Sequence, residues 1–402
     1  MNVTYVTSEL PYPVSHGGII AMHCVIQALA KNASVSVVVL TPGRYSEDVV
    51  RQAEAYYRKT CCSFVCHQFP HLNPSSALPV KTWHYLSGYP RHGFWSKEAQ
   101  ELLVKEMQRS NCEVLWCNST HDAKYLARAK QMGCKTVLMT HNVESDLVRQ
   151  RAMNGSGMTS WVDHIRWYDM RRLEKVGTRL ADAVTAITDV DYSYYVRLKG
   201  SKATFLLPFS FEIPKNGAEP NGQPEEPSTL CFIGSMDWPP NIEAARFLVH
   251  KVMPIVWQRV PDARCFIVGK SPGPEVQSLA SEKVVVTGRV ESVRSYYHRA
   301  AVAVVPIQAI GGLKIKLIEA MAEGKAIVCT SAGAAGVKVE DGKHVRIADN
   351  APSFADAIVE LLNDQEERRR LGDAAGEYVA KHLSPNVTEN EARRVLDYID
   401  QL

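Results

Sequence analysis

The sequence is short of the features that mark special classes. No apolar run within its 402 residues approaches the length of a bilayer-spanning helix. The opening residues, Asn2-Val3-Thr4-Tyr5-Val6-Thr7, lack the charged and apolar regions of a secretory leader and read as a strand. Excess charge is small: the formal net charge is +3, with signs mixed along the chain, which argues against a nucleic-acid partner. No G-x-G-x-x-G follows a strand in either half, which disfavours an NAD(P)-dependent oxidoreductase. No D-x-D lies near a strand end. The 10 cysteines are scattered, and the one cluster, Cys61-Cys62 with Cys66-His67, matches no paired zinc spacing. Neither a metal nor a cofactor is expected. Cys112, Cys117, Cys231, Cys265 and Cys329 fall in apolar strand-like runs, which suits buried thiols in a reducing, cytoplasmic setting.

What is present is an alternation of short β-branched runs and amphipathic segments. Strands are expected near 3–7, 34–40, 63–69, 113–117, 135–139, 183–187 and 203–207, with helices between them. The run at 34–40 is apolar on both faces, as a strand of a parallel sheet would be. Residues 214–228, rich in Pro, Gly, Asn and Glu, read as a linker. A second α/β unit follows, with strands near 230–233, 263–268, 284–287, 301–305, 326–330 and 344–347. A helix is expected at 242–259, a glycine loop at 333–336 and a last amphipathic helix at 389–402. The resulting division is an N-terminal domain over 1–213, a linker over 214–228, a C-terminal domain over 229–385 and a terminal helix over 386–402.

Three places carry candidate chemistry. After the run 302–305 and Pro306 comes Gly311-Gly312-Leu313-Lys314-Ile315-Lys316-Leu317-Ile318-Glu319. A glycine-rich entry to a helix offers backbone N–H groups and a dipole that favour an anion. Lys314 and Lys316 add cations, and Glu319 lies three residues beyond Lys316, on the same helical face. A carboxylate there can hold vicinal hydroxyls such as those of a ribose. Against this stands a helix start with solvated lysines and a surface glutamate. Gly17-Gly18, after the first strand, permits a close backbone approach or forms a plain tight turn. His141, in Thr140-His141-Asn142, lies at the carboxyl end of a strand, where open parallel sheets bind ligands. It can donate to a sugar hydroxyl, stabilise developing charge, or simply cap a turn. Aromatics among cations at 70–96, and the arginine-rich stretch 145–180, read as loop packing and a solvated helix face. A minority reading is contact with an anionic acceptor or a membrane surface.

The order and spacing of several short motifs resemble the retaining glycosyltransferases of family 4, the group 1 glycosyl transferases. They are Phe232-Ile233-Gly234 with Pro240-Asn241, Ile267-Val268-Gly269, Val286-Thr287-Gly288-Arg289-Val290, the 311–322 stretch and Gly333-Ala334-Ala335-Gly336. The N-terminal Gly17-Gly18 and Thr140-His141-Asn142 match as well. The resemblance implies a GT-B fold: two Rossmann-like α/β domains with parallel sheets facing a central cleft, and a final helix returning to the first domain. It implies a nucleotide-sugar donor on the C-terminal domain and an acceptor on the N-terminal one. By position, Glu319 would bind the ribose, and Gly311, Gly312 and Leu313 the donor sugar or phosphates. Gly288, Arg289 and Val290 would contact the base, Gly17 and Gly18 would approach the diphosphate, and His141 would lie near the reacting sugar. Two departures stand out. Gly311 occupies the place of the first glutamate of an E-x7-E pattern. Ser235 and Asn241 stand where an Arg and a Lys often clamp the diphosphate. That leaves Lys314 and Lys316, with Arg289, to neutralise it.

The activity so implied is metal-independent transfer of a hexose-type sugar from a UDP- or GDP-sugar to the hydroxyl of a carbohydrate, lipid-linked or small-molecule acceptor. Anomeric configuration would be retained, in polysaccharide, glycolipid or glycoconjugate synthesis, in the cytoplasm or at the inner membrane face. His141, Lys316 and Glu319 are the expected catalytic set. The rival reading is a non-catalytic GT-B subunit that binds carbohydrate or a partner; a GT-B phosphorylase shares the fold.

Overall fold

The computed structural model describes residues 1–14, 17–42, 45–69, 96–154, 158–211, 224–308 and 313–402. The chain divides into two compact units, Met1–Ser210 with Pro385–Leu402, and Phe211–Ser384.

The first unit is built on β1 (Asn2–Thr7), β2 (Ser34–Pro42), β3 (Ser63–Phe69), β4 (Val114–Cys117), β5 (Lys135–Thr140), β6 (Ala183–Ala186) and β7 (Thr204–Leu206). These form one parallel sheet in the order β3-β2-β1-β4-β5-β6-β7. Val35, Val37, Val38, Val39 and Leu40 are all buried, the pattern of a strand covered on both faces. Strand order reverses between β1 and β4, and the carboxyl ends beside such a reversal are where open parallel sheets bind ligands.

The last helix, Pro385–Asp400, belongs to this unit and packs on the helix Gly17–Ala30. Thr388 donates its hydroxyl to the Pro208 carbonyl at 2.7 Å, and Lys31 pairs with Glu389 at 2.8 Å. Ala392, Val395 and Ile399 are buried in the seam, and Tyr398 meets Phe205 with ring centroids 5.4 Å apart.

The second unit holds β8 (Glu226–Ile233), β9 (Arg264–Val268), β10 (Val284–Val286), β11 (Ala300–Val305), β12 (Ala326–Cys329) and β13 (Arg346–Ile347). They form a second parallel sheet in the order β10-β9-β8-β11-β12-β13. Here the reversal falls between β8 and β11.

Several boundaries differ from expectation for local reasons. β8 begins at Glu226, inside the expected linker, where Glu226 binds Arg299 at 2.7 Å. The helix expected from residue 242 begins at Pro239, because prolines in a first turn lose N–H groups that have no partner there anyway. It passes through a π turn, Leu248–Val252, just before Pro254 removes a donor from the ladder. In the expected 333–336 loop lies a short helix, Ser331–Ala334, capped by Thr330, whose hydroxyl accepts from Gly333 N–H at 2.8 Å. The arginine-rich stretch is two helices, Glu144–Asn154 and Met158–Leu180, with Arg149 and Arg171 each 5.9 Å from the Trp167 ring centre. The aromatic segment at 70–95 lies outside the described residues. Among the described residues no helix is long and apolar enough to cross a membrane.

The carboxyl ends of β8 and β9 touch through backbone. A Cβ on Gly269 would stand 1.7 Å from the Gly234 carbonyl oxygen, whereas one on Gly273 would meet nothing within 4 Å. Gly269→Ala should therefore destabilise the second unit by about 1–3 kcal/mol or more, read as a lowered urea midpoint. Gly273→Ala should leave the midpoint within about 0.5 kcal/mol of the parent.

Candidate active site

In the second unit the loops leaving β8 and β11 meet at the reversal point. β8 ends at Ile233, and Gly234 continues its pairing through an N–H bond to Val268 O at 2.9 Å. The turn after it holds Ser235, whose hydroxyl donates to Asp237 at 2.7 Å and whose carbonyl accepts from Asn241 Nδ2 at 2.7 Å. Asn241 is 3 % exposed, in the first turn of the helix Pro239–Phe247. Its side-chain oxygen faces the other way and accepts from Lys316 Nζ. Lys316 comes from the β11 side, on the helix Ile315–Ala322. Its ammonium lies 5.2 Å from the Phe232 ring centre and 6.0 Å from that of Trp238, within cation–π range of both.

Gly234 is what makes this approach possible. A Cβ there would stand 2.7 Å from Asn241 Nδ2 and 3.0 Å from Lys316 Nζ. The glycine leaves the volume that the lysine head occupies.

Burial sets the electrostatics. It pushes the Lys316 ammonium down to about 7; neighbouring Lys314 pushes the same way and Glu319 opposes. Lys314, 5 % exposed, is pushed down to about 8 by burial. Burial raises the Glu319 carboxyl, while Lys316 pulls it back. The buried Tyr297 donates its hydroxyl to the Lys316 carbonyl at 3.1 Å and lies beside Glu319, fixing the first turn of the helix. One turn on, Glu323 is held by Arg294 at 3.0 Å and His298 at 2.8 Å. Two lysine head groups withdrawn from water make a place where an anion can repay part of their lost hydration. The carboxylate of Glu319 beside them can accept from hydroxyls.

Gly234, Ser235, Asn241, Lys314, Lys316 and Glu319 thus converge at the β8 and β11 ends. Arg289 and Val290 follow β10: Arg289 is exposed, Val290 half-buried, and Gly288 before them has φ +72°, a left-handed turn that suits glycine. Leu313 is half-buried at the edge of the described chain, and Gly311 and Gly312 lie outside it.

In the first unit, Gly17 and Gly18 open the helix that follows β1, and His141 follows β5. His141 Nε2 lies 3.2 Å from Asn118 Oδ1. Burial pushes the imidazole down to about 4, with His121 pushing the same way and an Asn118 carbonyl opposing. Around His121, burial raises Asp122 to about 7 and lowers Lys124 to about 8.

Comparison with known proteins agrees with this layout. Residues 227–364 match the family model described as glycosyl transferases group 1. Among solved structures the chain superposes on sucrose-phosphate synthase from Thermosynechococcus elongatus with a TM-score of 0.68 at 17% identity, covering 99% of each chain. It superposes on Anabaena HepE, solved with UDP and glucose, with a TM-score of 0.68 at 12% identity, again over 99% of both chains. The fold is GT-B. A curated relative, an uncharacterised 44.6 kDa protein from the cps region of Klebsiella pneumoniae, is 24% identical over 139 residues. That match covers 32% of this chain and 36% of the relative, about a third of its length.

Within the GT-B frame, four residues beside candidate residues had no place in the sequence argument: Trp238 and Tyr297 in the second unit, Asn118 and Tyr5 in the first. Trp238, 47 % exposed beside Lys316, carried a signal in the Asp237-Trp238-Pro239-Pro240 turn, an aromatic at a strand's carboxyl end. Tyr297 carried none, because its contact with Lys316 depends on how two helices pack.

The depressed Lys316 fixes a pH dependence. A lysine is ordinarily protonated up to 10.5 and here only to about 7. Between those values the unfolded chain binds more protons than the folded one, so this group makes the fold more stable as pH rises through that window. An anion that engages this head group would show the opposite trend, because the contact requires the protonated ammonium. UDP-glucose, whose diphosphate diester does not titrate in this range, should bind tightest below pH 7. It should weaken as pH rises above that, by up to about tenfold per unit, and take up a proton on binding. Calorimetry in buffers of different ionisation enthalpy reads both. Lys316→Met should abolish most of the slope.

Proposed function

We propose that this chain transfers a hexose-type sugar from a UDP- or GDP-sugar to an acceptor hydroxyl, with retention of anomeric configuration, in the synthesis of a polysaccharide, glycolipid or glycoconjugate. The observation that carries the reading is the buried Lys316, held by Asn241 in the space Gly234 leaves, with Glu319 beside it on the same helix. The pairing supplies a cation for a diphosphate and a carboxylate for ribose hydroxyls. The group 1 match over 227–364 supports it, as does the folding likeness to HepE and to Staphylococcus aureus TarM, both solved with UDP. The cps-region relative supports a role in polysaccharide synthesis.

In this reading the C-terminal unit holds the donor. Lys316 and Lys314 meet the charge that grows on the leaving diphosphate, and Glu319 accepts from the ribose. The bond from the anomeric carbon to the phosphate oxygen breaks with its electron pair going to phosphate. The acceptor oxygen bonds to the anomeric carbon on the same face, and its proton passes to the departing phosphate. No protein nucleophile takes part. Arg289 and Val290 contact the base; in the first unit Gly17 and Gly18 offer a close backbone approach and His141 a ring nitrogen to substrate groups. Asn241 replaces a second clamp cation by orienting Lys316.

Incubation with UDP-, GDP-, ADP- and dTDP-sugars and an acceptor panel should show transfer or slow donor hydrolysis with at least one donor. Lys316→Ala should cut turnover of that donor by about 2–4 kcal/mol of transition-state stabilisation, roughly 30- to 1,000-fold. Glu319→Ala should weaken donor binding by about 1.5–3 kcal/mol. Donor binding without turnover under every acceptor would indicate the non-catalytic subunit instead.

A further inference from the structure

Resting on the reading above, we infer that Asn118, locked by Tyr5, is a positioning residue that holds His141 with Nε2 protonated and Nδ1 as a bare acceptor for a substrate hydroxyl. Asn118 is the first residue beyond β4, and its N–H bonds Val6 O at 3.0 Å, so it extends the β1–β4 ladder at the point where strand order reverses. It is 5 % exposed, and Tyr5 is fully buried. Asn118 Oδ1 receives two neighbours, the Tyr5 hydroxyl at 2.5 Å and His141 Nε2 at 3.2 Å.

The hydrogen count decides the tautomer. The other acceptor recorded for the Tyr5 hydroxyl is Met139 Sδ at 3.8 Å, a weak one. The hydroxyl hydrogen therefore goes to Asn118 Oδ1. An amide oxygen only accepts, so His141 must present Nε2–H to it. Nδ1 is then a lone pair, and it is a buried atom with no partner among the described residues. Turning the Asn118 amide over would put its NH₂ against Nε2 and force the proton onto Nδ1. That would bury an Nδ1–H with no acceptor among the described residues, the rarer and costlier defect.

The groups that face the ring keep it uncharged. Burial dominates, His121 repels a second positive charge, and Tyr5, itself held far above its ordinary range by burial, stays a neutral donor. Glu9 and Lys124 act on His121 with opposite sign. A ring in this state does not donate to a sugar hydroxyl or carry positive charge to the transition state. It accepts from a hydroxyl and so orients it. This specifies the role left open between donor and charge stabiliser in the sequence.

The test labels the histidines with ¹⁵N and compares the full-length protein with Asn118→Leu, Asn118→Asp, Tyr5→Phe and His141→Ala. In the parent, His141 should show protonated Nε2 and bare Nδ1 down to about pH 5. Asn118→Leu should scramble the tautomers and lower kcat roughly 10²-fold with KM for the nucleotide-sugar unchanged. Asn118→Asp keeps the side chain's shape, so it carries the test if the leucine variant does not fold. Its carboxylate should raise the His141 pKa into the neutral range and make kcat fall as pH drops through it. Tyr5→Phe should give a smaller loss of the same kind. A parent with protonated Nδ1, or Asn118 variants with parental tautomer, kcat and pH profile, overturns the inference. Full turnover by His141→Ala would instead overturn the assignment of His141 in the proposed reaction, and the tautomer spectra would still read the Asn118 contact separately.

Discussion

The interaction on which the second unit's chemistry depends is the seating of one ammonium group away from water. Lys316 Nζ is surrounded by Asn241, two aromatic rings and the bare backbone of Gly234. Each neighbour is there because of something upstream. Gly234 is the residue at which β8 runs out against β9, and its carbonyl presses on Gly269. Asn241 is placed by the two prolines that start its helix, and is oriented by the Ser235 carbonyl. Tyr297, from the helix before β11, ties down the Lys316 carbonyl. Burying that head group costs hydration, so in the proposed reaction a diphosphate placed against it would recover part of what was lost.

The first unit applies the opposite electrostatic choice. His141 is kept neutral by burial and directed by a neutral amide, where a carboxylate partner would have made it cationic. One unit carries lysines withdrawn from water, and the other an uncharged imidazole. The two sheets share the same logic of placement: both sites lie beyond carboxyl ends, at or next to the strand-order reversal. The return of Pro385–Asp400 to the first unit closes the chain by burying Thr388, Val395 and Ile399 against it.

Much of this was legible in residue order because the signals are local. Near-continuous valine runs announce parallel strands whatever surrounds them, and β11 ended at Pro306 as its composition required. Lys314, Lys316 and Glu319 drew attention through charge next to a glycine-rich helix start. What was not legible is long-range pairing. Asn241 had a place near the diphosphate by position, but nothing local shows that it would hold Lys316, 75 residues away. Tyr5, inside a strand, and Asn118, just past one, look ordinary until the order β1-β4-β5 brings them to His141. The helix start at Pro239 was placed three residues late, because prolines suit a first turn, and the short helix capped by Thr330 was read as a strand end and a loop.

The account is tested most directly by a crystal structure of the full chain with a bound, unhydrolysed nucleotide-sugar. It predicts the diphosphate within hydrogen-bond distance of Lys316 Nζ, with Asn241 still holding that lysine, and the ribose hydroxyls on the Glu319 carboxylate. A nucleotide bound elsewhere, with Lys316 and Glu319 unengaged, would contradict it.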